Sequence, residues 1–194
     1  MAMTTSHDNH GDAAPSNWVR RFASHVPPGA ILDVACGTGR HSRLFLEYGR
    51  QVVGIDRYNA GVIDLLGRSD FELIEVDLES GENWPAGDRK FAAVVVTNYL
   101  HRPLFPAIID AVAPKGCLIY ETFAQGNERH GRPSNPDFLL SPGELLSMAA
   151  GHLNVIAYEH GLVDRPRPAV IQRICATRAD APDYLASRSL EGSE

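Results

Sequence analysis

The chain has 194 residues, 44% of them hydrophobic and 22% charged, with a formal net charge of −6. That length holds one domain with a full core but not two comfortable ones, and the hydrophobic share excludes disorder of the whole chain. The negative balance argues against a nucleic-acid binder, and no apolar run reaches the roughly 18 residues that a membrane helix requires.

Residues 1–16 are polar, lack the apolar stretch of a secretory leader, and are expected to be disordered. The folded domain is expected over 17–177, with a polar tail at 178–194. An amphipathic segment over 18–25 ends at Pro27-Pro28-Gly29, which breaks the chain ahead of the first strand. Strand and helix then alternate. The pattern predicts strands over 30–35, 51–55, 72–75, 92–97 and 116–123, and helices over 40–48, 59–66, 104–112 and 142–150. Nearly continuous apolar strands such as Ala93-Val94-Val95-Val96 point to a parallel sheet covered on both faces. Two late runs, 153–160 and 169–176, have no helix between them and read as an antiparallel pair. The expected fold is α/β: a doubly wound, Rossmann-like, mostly parallel seven-stranded sheet with an antiparallel C-terminal strand.

The most informative stretch is Ile31-Leu32-Asp33-Val34-Ala35-Cys36-Gly37-Thr38-Gly39-Arg40, which reads as buried strand, turn and helix start. Glycines 37 and 39 let the backbone fold sharply and a ligand come close. The following helix points its free N–H groups and positive dipole end at that ligand. About twenty residues on, the strand ending in Asp56 places an acid where nucleotide-binding units hold ribose hydroxyls. The third glycine of a dinucleotide fingerprint is missing, since its place is Ser42. No Gly-Lys-Ser/Thr follows the turn, so it is not a P-loop.

With its acid followed by small residues at alternate positions, Asp33, Ala35, Gly37 and Gly39, the run resembles motif I of the class I S-adenosylmethionine-dependent methyltransferases. Ala35 stands where that family usually has glycine, which implies slightly tighter packing. The resemblance implies that Asp33 and the turn face the methionine part of S-adenosyl-L-methionine and Asp56 its ribose. Arg57 is then expected beside the adenine, and Asp77, followed by Leu78, at the adenine amino group. Asn98 is a further cofactor contact on this reading. Trp18 either covers the methionine end or anchors the core.

Two later segments choose the substrate. One is Asn98-Tyr99-Leu100-His101-Arg102-Pro103, and the other runs from Tyr120-Glu121-Thr122-Phe123 through Gly126-Asn127-Glu128 to Gly131-Arg132-Pro133-Ser134-Asn135-Pro136. An aperiodic loop of that length is uncommon unless functional. Both segments resemble small bacterial methyltransferases related to the tellurite-resistance type. The resemblance implies the reaction rather than the acceptor, which is expected to be a small molecule, either anionic, a thiol or a metalloid. His101, Glu121 and Tyr99 are the candidate catalytic groups, with Glu121 read either as a base or as an ion-pair partner of Arg102 or Arg132. Arg102, Asn127 and Arg132 are the candidate acceptor contacts, with Arg129 and His130 adding positive charge. The Asn98-Tyr99 pair lacks the prolines of the amino-group nucleic-acid methyltransferase motif, which makes base methylation a minority reading.

Cys36, Cys117 and Cys175 have no metal-ligand spacing and read as buried reduced thiols, as in a cytoplasmic protein with no metal site. A short-chain nicotinamide oxidoreductase would need Tyr-x-x-x-Lys, and neither Lys90 nor Lys115 stands four residues after a tyrosine. A non-catalytic S-adenosylmethionine-binding module and an RNA or protein methyltransferase share the same cofactor site and remain as alternatives.

Overall fold

The computed structural model describes residues 14–165 and 167–178. Most of the expected disordered start, and the tail beyond Arg178, lie outside the described residues. In chain order the elements are α1 (Asn17–Ala23), β1 (Ile31–Val34), α2 (Arg40–Glu47), β2 (Val52–Asp56), a 3-10 segment (Ala60–Leu65), β3 (Phe71–Glu75) and β4 (Phe91–Thr97). A 3-10 turn (Arg102–Leu104), α3 (Phe105–Asp110), β5 (Val112–Phe123), two more 3-10 turns (Asn127–Arg129, Pro136–Phe138), α4 (Glu144–Ala149), β6 (Leu153–Val163) and β7 (Ala169–Arg178) follow.

The seven strands form one sheet in the order β3-β2-β1-β4-β5-β7-β6. β1 to β5 run parallel, and β7 inserts antiparallel between β5 and β6, as the sequence pattern predicts. Alternate residues feed two cores because successive side chains leave a strand on opposite faces. Leu32, Val34, Val94, Val96 and Tyr120 pack with Ile108 of α3 and Leu145 and Met148 of α4. On the other face, Ile31, Ala93, Val95 and Ile119 pack with Trp18 and Phe22 of α1 and Phe45 of α2. Both faces are covered, which is why β4 needs six buried residues in a row from Phe91 to Val96.

Two elements depart from the expected pattern. The helix expected over 59–66 is a 3-10 segment interrupted at Val62, whose φ is −129° and ψ 18°. It lies hard against the glycine turn, where a Cβ on Gly61 would stand 2.5 Å from the Gly37 carbonyl oxygen. β5 begins four residues early, at Val112, across a register shift opposite Phe91 to Ala93. Lys115 adopts a left-handed φ of 63° there, and a Cβ on Gly116 would lie 2.8 Å from the Phe91 carbonyl oxygen.

The order of strands fixes the place of a ligand. From β1 the chain winds outward through β2 and β3, then crosses back to β4 on the other side of β1. The crevice at the carboxyl ends of β1 and β4 is the switch point where open α/β sheets bind their ligands.

Candidate active site

The bend after β1 is built from left-handed residues at alternate positions: Ala35 at φ 53°, Gly37 at 56° and Gly39 at 70°. Its backbone is fixed by Cys36 N–H on the Ile55 carbonyl at 3.0 Å and Gly39 N–H on the Cys36 carbonyl at 2.8 Å. A Cβ on Gly37 would meet nothing within 4 Å, so φ rather than crowding calls for glycine, and that side of the bend is open. At Ala35 the expected tighter packing is instead conformational strain, since a left-handed non-glycine residue costs about 1–2 kcal/mol.

Asp56 closes back onto the bend. Its Oδ2 accepts the Gly37 N–H at 2.8 Å and its Oδ1 the Tyr58 N–H at 3.1 Å. A carboxylate has room for further donors. Arg57 lies over the Tyr58 ring at 5.0 Å. Past the end of β3, Asp77 is exposed and accepts the Glu79 N–H at 2.9 Å, while Leu78 packs partly buried against the core. Asn98 leaves β4 at φ 54°, its N–H on the Glu121 carbonyl at 2.9 Å. The structure thus brings Asp33, Ala35, Gly37, Gly39, Asp56, Arg57, Asp77, Leu78 and Asn98 to the ends of four neighbouring strands. Trp18 is a correction to that set. It is 2% exposed, donates its indole N–H to the Ile174 carbonyl at 3.2 Å and stacks edge-on with Phe22, which makes it a core anchor.

Asp33 is buried at 1% exposure and forms no salt bridge among the described residues. Ser42 explains how it is tolerated: the hydroxyl donates to Asp33 Oδ2 at 2.7 Å. Burial still pushes the Asp33 carboxyl up to about 6, against the Ser42 hydrogen bonds that lower it. The place where a dinucleotide fingerprint would carry its third glycine therefore holds the residue that serves Asp33. The serine at that spacing was the only signal in the sequence.

A half-buried polar cluster joins α1 to the sheet, and no local pattern announces it. The Ser16 N–H donates to His41 Nε2 at 3.1 Å, so the other ring nitrogen carries the proton and faces Thr97 Oγ1 at 3.3 Å. Burial pulls the His41 imidazole down to about 3. The Ser16 hydroxyl, which also caps α1, donates to Glu121 Oε1 at 2.7 Å. Arg173 reaches Glu121 Oε2 at 3.3 Å and pairs with Glu159 as well.

That cluster corrects the reading of Glu121. Its partners are Ser16 and Arg173, not Arg102 or Arg132, and both carboxylate oxygens are engaged, which argues against a base. Arg102 instead grips Glu144 through two bonds at 2.6 and 3.0 Å and donates to the Asp137 and Leu139 carbonyls. Its guanidinium is consumed in holding the loop. Asn127, 1% exposed, donates to the Pro133 carbonyl at 2.9 Å and accepts the Val170 N–H at 3.2 Å. Both residues are therefore braces rather than acceptor contacts.

Arg132 is exposed and has no partner among the described residues, and Arg129 and His130 beside it are exposed as well. His101 starts the 3-10 turn Arg102–Leu104 without a side-chain cap bond, leaving its imidazole uncommitted. The Tyr99 hydroxyl is buried without a partner. Burial, then Glu79 and Asp77, push its pKa well above the usual phenol range, which makes it a poor base. Cys36, Cys117 and Cys175 are buried and joined in no disulfide, and burial pushes the Cys36 pKa far up.

Among the described residues no group of His, Cys, Asp and Glu is placed to hold a metal ion, and no helix is long and apolar enough to cross a membrane. A cavity of about 340 Å³ lined by Phe105, Ile109, Met148, His152 and Arg178 lies at the opposite, amino end of the parallel strands.

Residues 31–116 match the family model described as "Methyltransferase domain". The matched span runs from β1 through the first part of β5 and contains the bend, Asp56, Asp77 and Asn98. Among solved structures, TehB from Haemophilus influenzae is similar with a TM-score of 0.70 and 16% identity, over 87% of this chain and 64% of that one. This chain thus spans slightly less than two thirds of the TehB chain. The 1,6-didemethyltoxoflavin-N1-methyltransferase of Burkholderia thailandensis, solved with 1,6-didemethyltoxoflavin and S-adenosylhomocysteine, is similar at a TM-score of 0.61 and 17% identity, over 84% and 76%. A glycopeptide N-methyltransferase, MtfA, solved with S-adenosylhomocysteine, follows at 0.58 and 16%, over 86% and 90%. No curated protein matches the sequence significantly. Residues 31–116 thus match a methyltransferase-domain model, and the chain has the fold of the class I methyltransferases.

Proposed function

We propose that the chain is an S-adenosylmethionine-dependent methyltransferase acting on a small molecule. The observation that carries this reading is the Asp56 carboxylate folded onto the Gly37 N–H at the switch point, beside an open bend and a buried Asp33 without a salt bridge. A carboxylate held in that state suits a ligand that brings positive charge. Asp33, Ala35, Gly37 and Gly39 would hold the methionine part, Asp56 the ribose, and Arg57, Asp77 and Leu78 the adenine, with Asn98 beside them. Solved neighbours of the same fold contain S-adenosylhomocysteine or S-adenosylmethionine, which supports the choice of cofactor.

Bound S-adenosylmethionine supplies a methyl group already activated on a sulfonium. The protein's part is alignment, and proximity of that kind contributes roughly 7–11 kcal/mol. A base is required only for an acceptor with a tightly held proton. Glu121 is engaged and Tyr99 is held protonated, which favours an acceptor that is nucleophilic without help, such as a thiol or a metalloid oxyanion. His101 is the one candidate base left uncommitted. The exposed Arg129, His130 and Arg132 support a negatively charged acceptor. The bracing of the loop by Asn127 and Arg102 favours a shaped pocket over a groove for RNA or protein.

Transfer of labelled methyl from S-adenosylmethionine to a panel of thiols, carboxylates and metalloid oxyanions tests the proposal. Turnover on an anionic member is expected, with Arg132→Ala raising its KM and leaving kcat near the wild-type value. Binding of the cofactor with no turnover on any acceptor would favour a non-catalytic module, and an unchanged KM would remove Arg132 from the acceptor site.

A further inference from the structure

The glycine bend is gripped from outside by a segment that the motif does not include. Arg43, on the first turn of α2, donates one guanidinium nitrogen to the Thr38 carbonyl at the tip of the bend. Its other terminal nitrogen reaches the Gly61 carbonyl at 3.4 Å and Asp64 Oδ1 at 2.5 Å. Gly61 lies so close that a Cβ there would stand 2.5 Å from the Gly37 carbonyl oxygen and 2.7 Å from Thr38 Cα. Val62 closes the other side, its Cγ1 at 2.6 Å from where a Gly39 Cβ would be. One guanidinium thus ties the bend to the 3-10 segment Ala60–Leu65, which no regular helix holds in place.

We propose that Arg43 and the segment Ala60–Leu65 form a clamp that positions the bend for its ligand. Strained backbone persists only where its surroundings over-determine it. Here the bend carries a left-handed alanine at position 35, so its shape is less intrinsic than a glycine-rich turn's. The planar fork of an arginine can bridge one carbonyl on the bend and two acceptors on the segment, whereas a lysine can serve fewer of them. Arg43 is a positioning residue: it acts on the ligand through Thr38 and Gly37. The ligand named here rests on the cofactor reading above, while the clamp itself does not.

Hydrogen exchange of the unliganded protein, read over residues 36–40, tests the clamp directly. Arg43→Ala is expected to speed exchange there about tenfold while leaving β4 and β5 unchanged. Arg43→Lys should fall between, and Asp64→Ala, which keeps the Thr38 bond, should show a smaller effect. Calorimetry with S-adenosylhomocysteine, well below the unfolding temperature of each variant, should show affinity falling about tenfold for Arg43→Ala in the same order. Wild-type exchange in the Arg43→Ala bend overturns the clamp, and so does faster exchange with unchanged affinity. If the wild-type protein itself binds no S-adenosylhomocysteine, the cofactor reading falls, and the exchange result alone decides the clamp.

Discussion

Asp33 and His41 stand on the same face of the sheet and are perturbed in opposite senses by the same burial. The folded chain holds a proton on Asp33 up to about pH 6, above the unfolded value near 4. That contribution to stability is full below about pH 4 and is lost as pH rises through 6. His41 refuses its proton down to about pH 3, whereas the unfolded chain takes one below about 6.5. Its contribution is full above that pH and is lost as pH falls. Between about pH 4 and 6 the two slopes oppose each other at about 1.4 kcal/mol per pH unit. Urea unfolding at pH 4, 5 and 6 should therefore separate them. Relative to the wild type, Asp33→Asn should gain stability with rising pH, and His41→Gln should lose it. Parallel curves for all three proteins would mean that neither group is buried as described.

At the scale of elements, what could be read from the sequence was what is local. The period of apolar residues showed the alternation of β1 to β5 with their helices, and the absence of a helix between 160 and 169 pointed to the β6–β7 hairpin. That the bend follows β1, Asp56 ends β2 and Asp77 follows β3 could be read because each sits in a local strand–turn unit. Partner choice could not. Glu121 meets Ser16 and Arg173 because α1 packs over the face that holds β5 and β7 inserts beside β5, and neither relation is visible within a window of sequence. Arg102 went to Glu144 for the same reason: α4 returns over the loop that Arg102 opens. The 59–66 segment misled because its helical pattern is overruled by contact of Gly61 with the bend. The loop between β5 and α4 shows the difference between brace and contact. Asn127→Ala leaves the half-buried Val170 N–H and Pro133 carbonyl unpaired, and should cost about 1 kcal/mol and open the loop to limited proteolysis. Survival of full stability and protease resistance in that variant would show that Asn127 does not hold the loop.

For the whole molecule, one sheet carries two cores and gathers the candidate site at a single edge. The strand order gathers the ends of β3, β2, β1 and β4, and α1, the loop after β5 and the segment Ala60–Leu65 rim that edge. The cavity at the amino end of the strands takes no part in this arrangement. On the proposed function, the exposed Arg129, His130 and Arg132, in a chain of net charge −6, would meet an anionic acceptor. Titration calorimetry with S-adenosylhomocysteine tests the central claim most directly. One site per chain is predicted for the wild type, weakened about 10- to 100-fold by Asp56→Ala through loss of charge-assisted bonds. No heat with S-adenosylhomocysteine, together with binding of a nicotinamide dinucleotide, would contradict it.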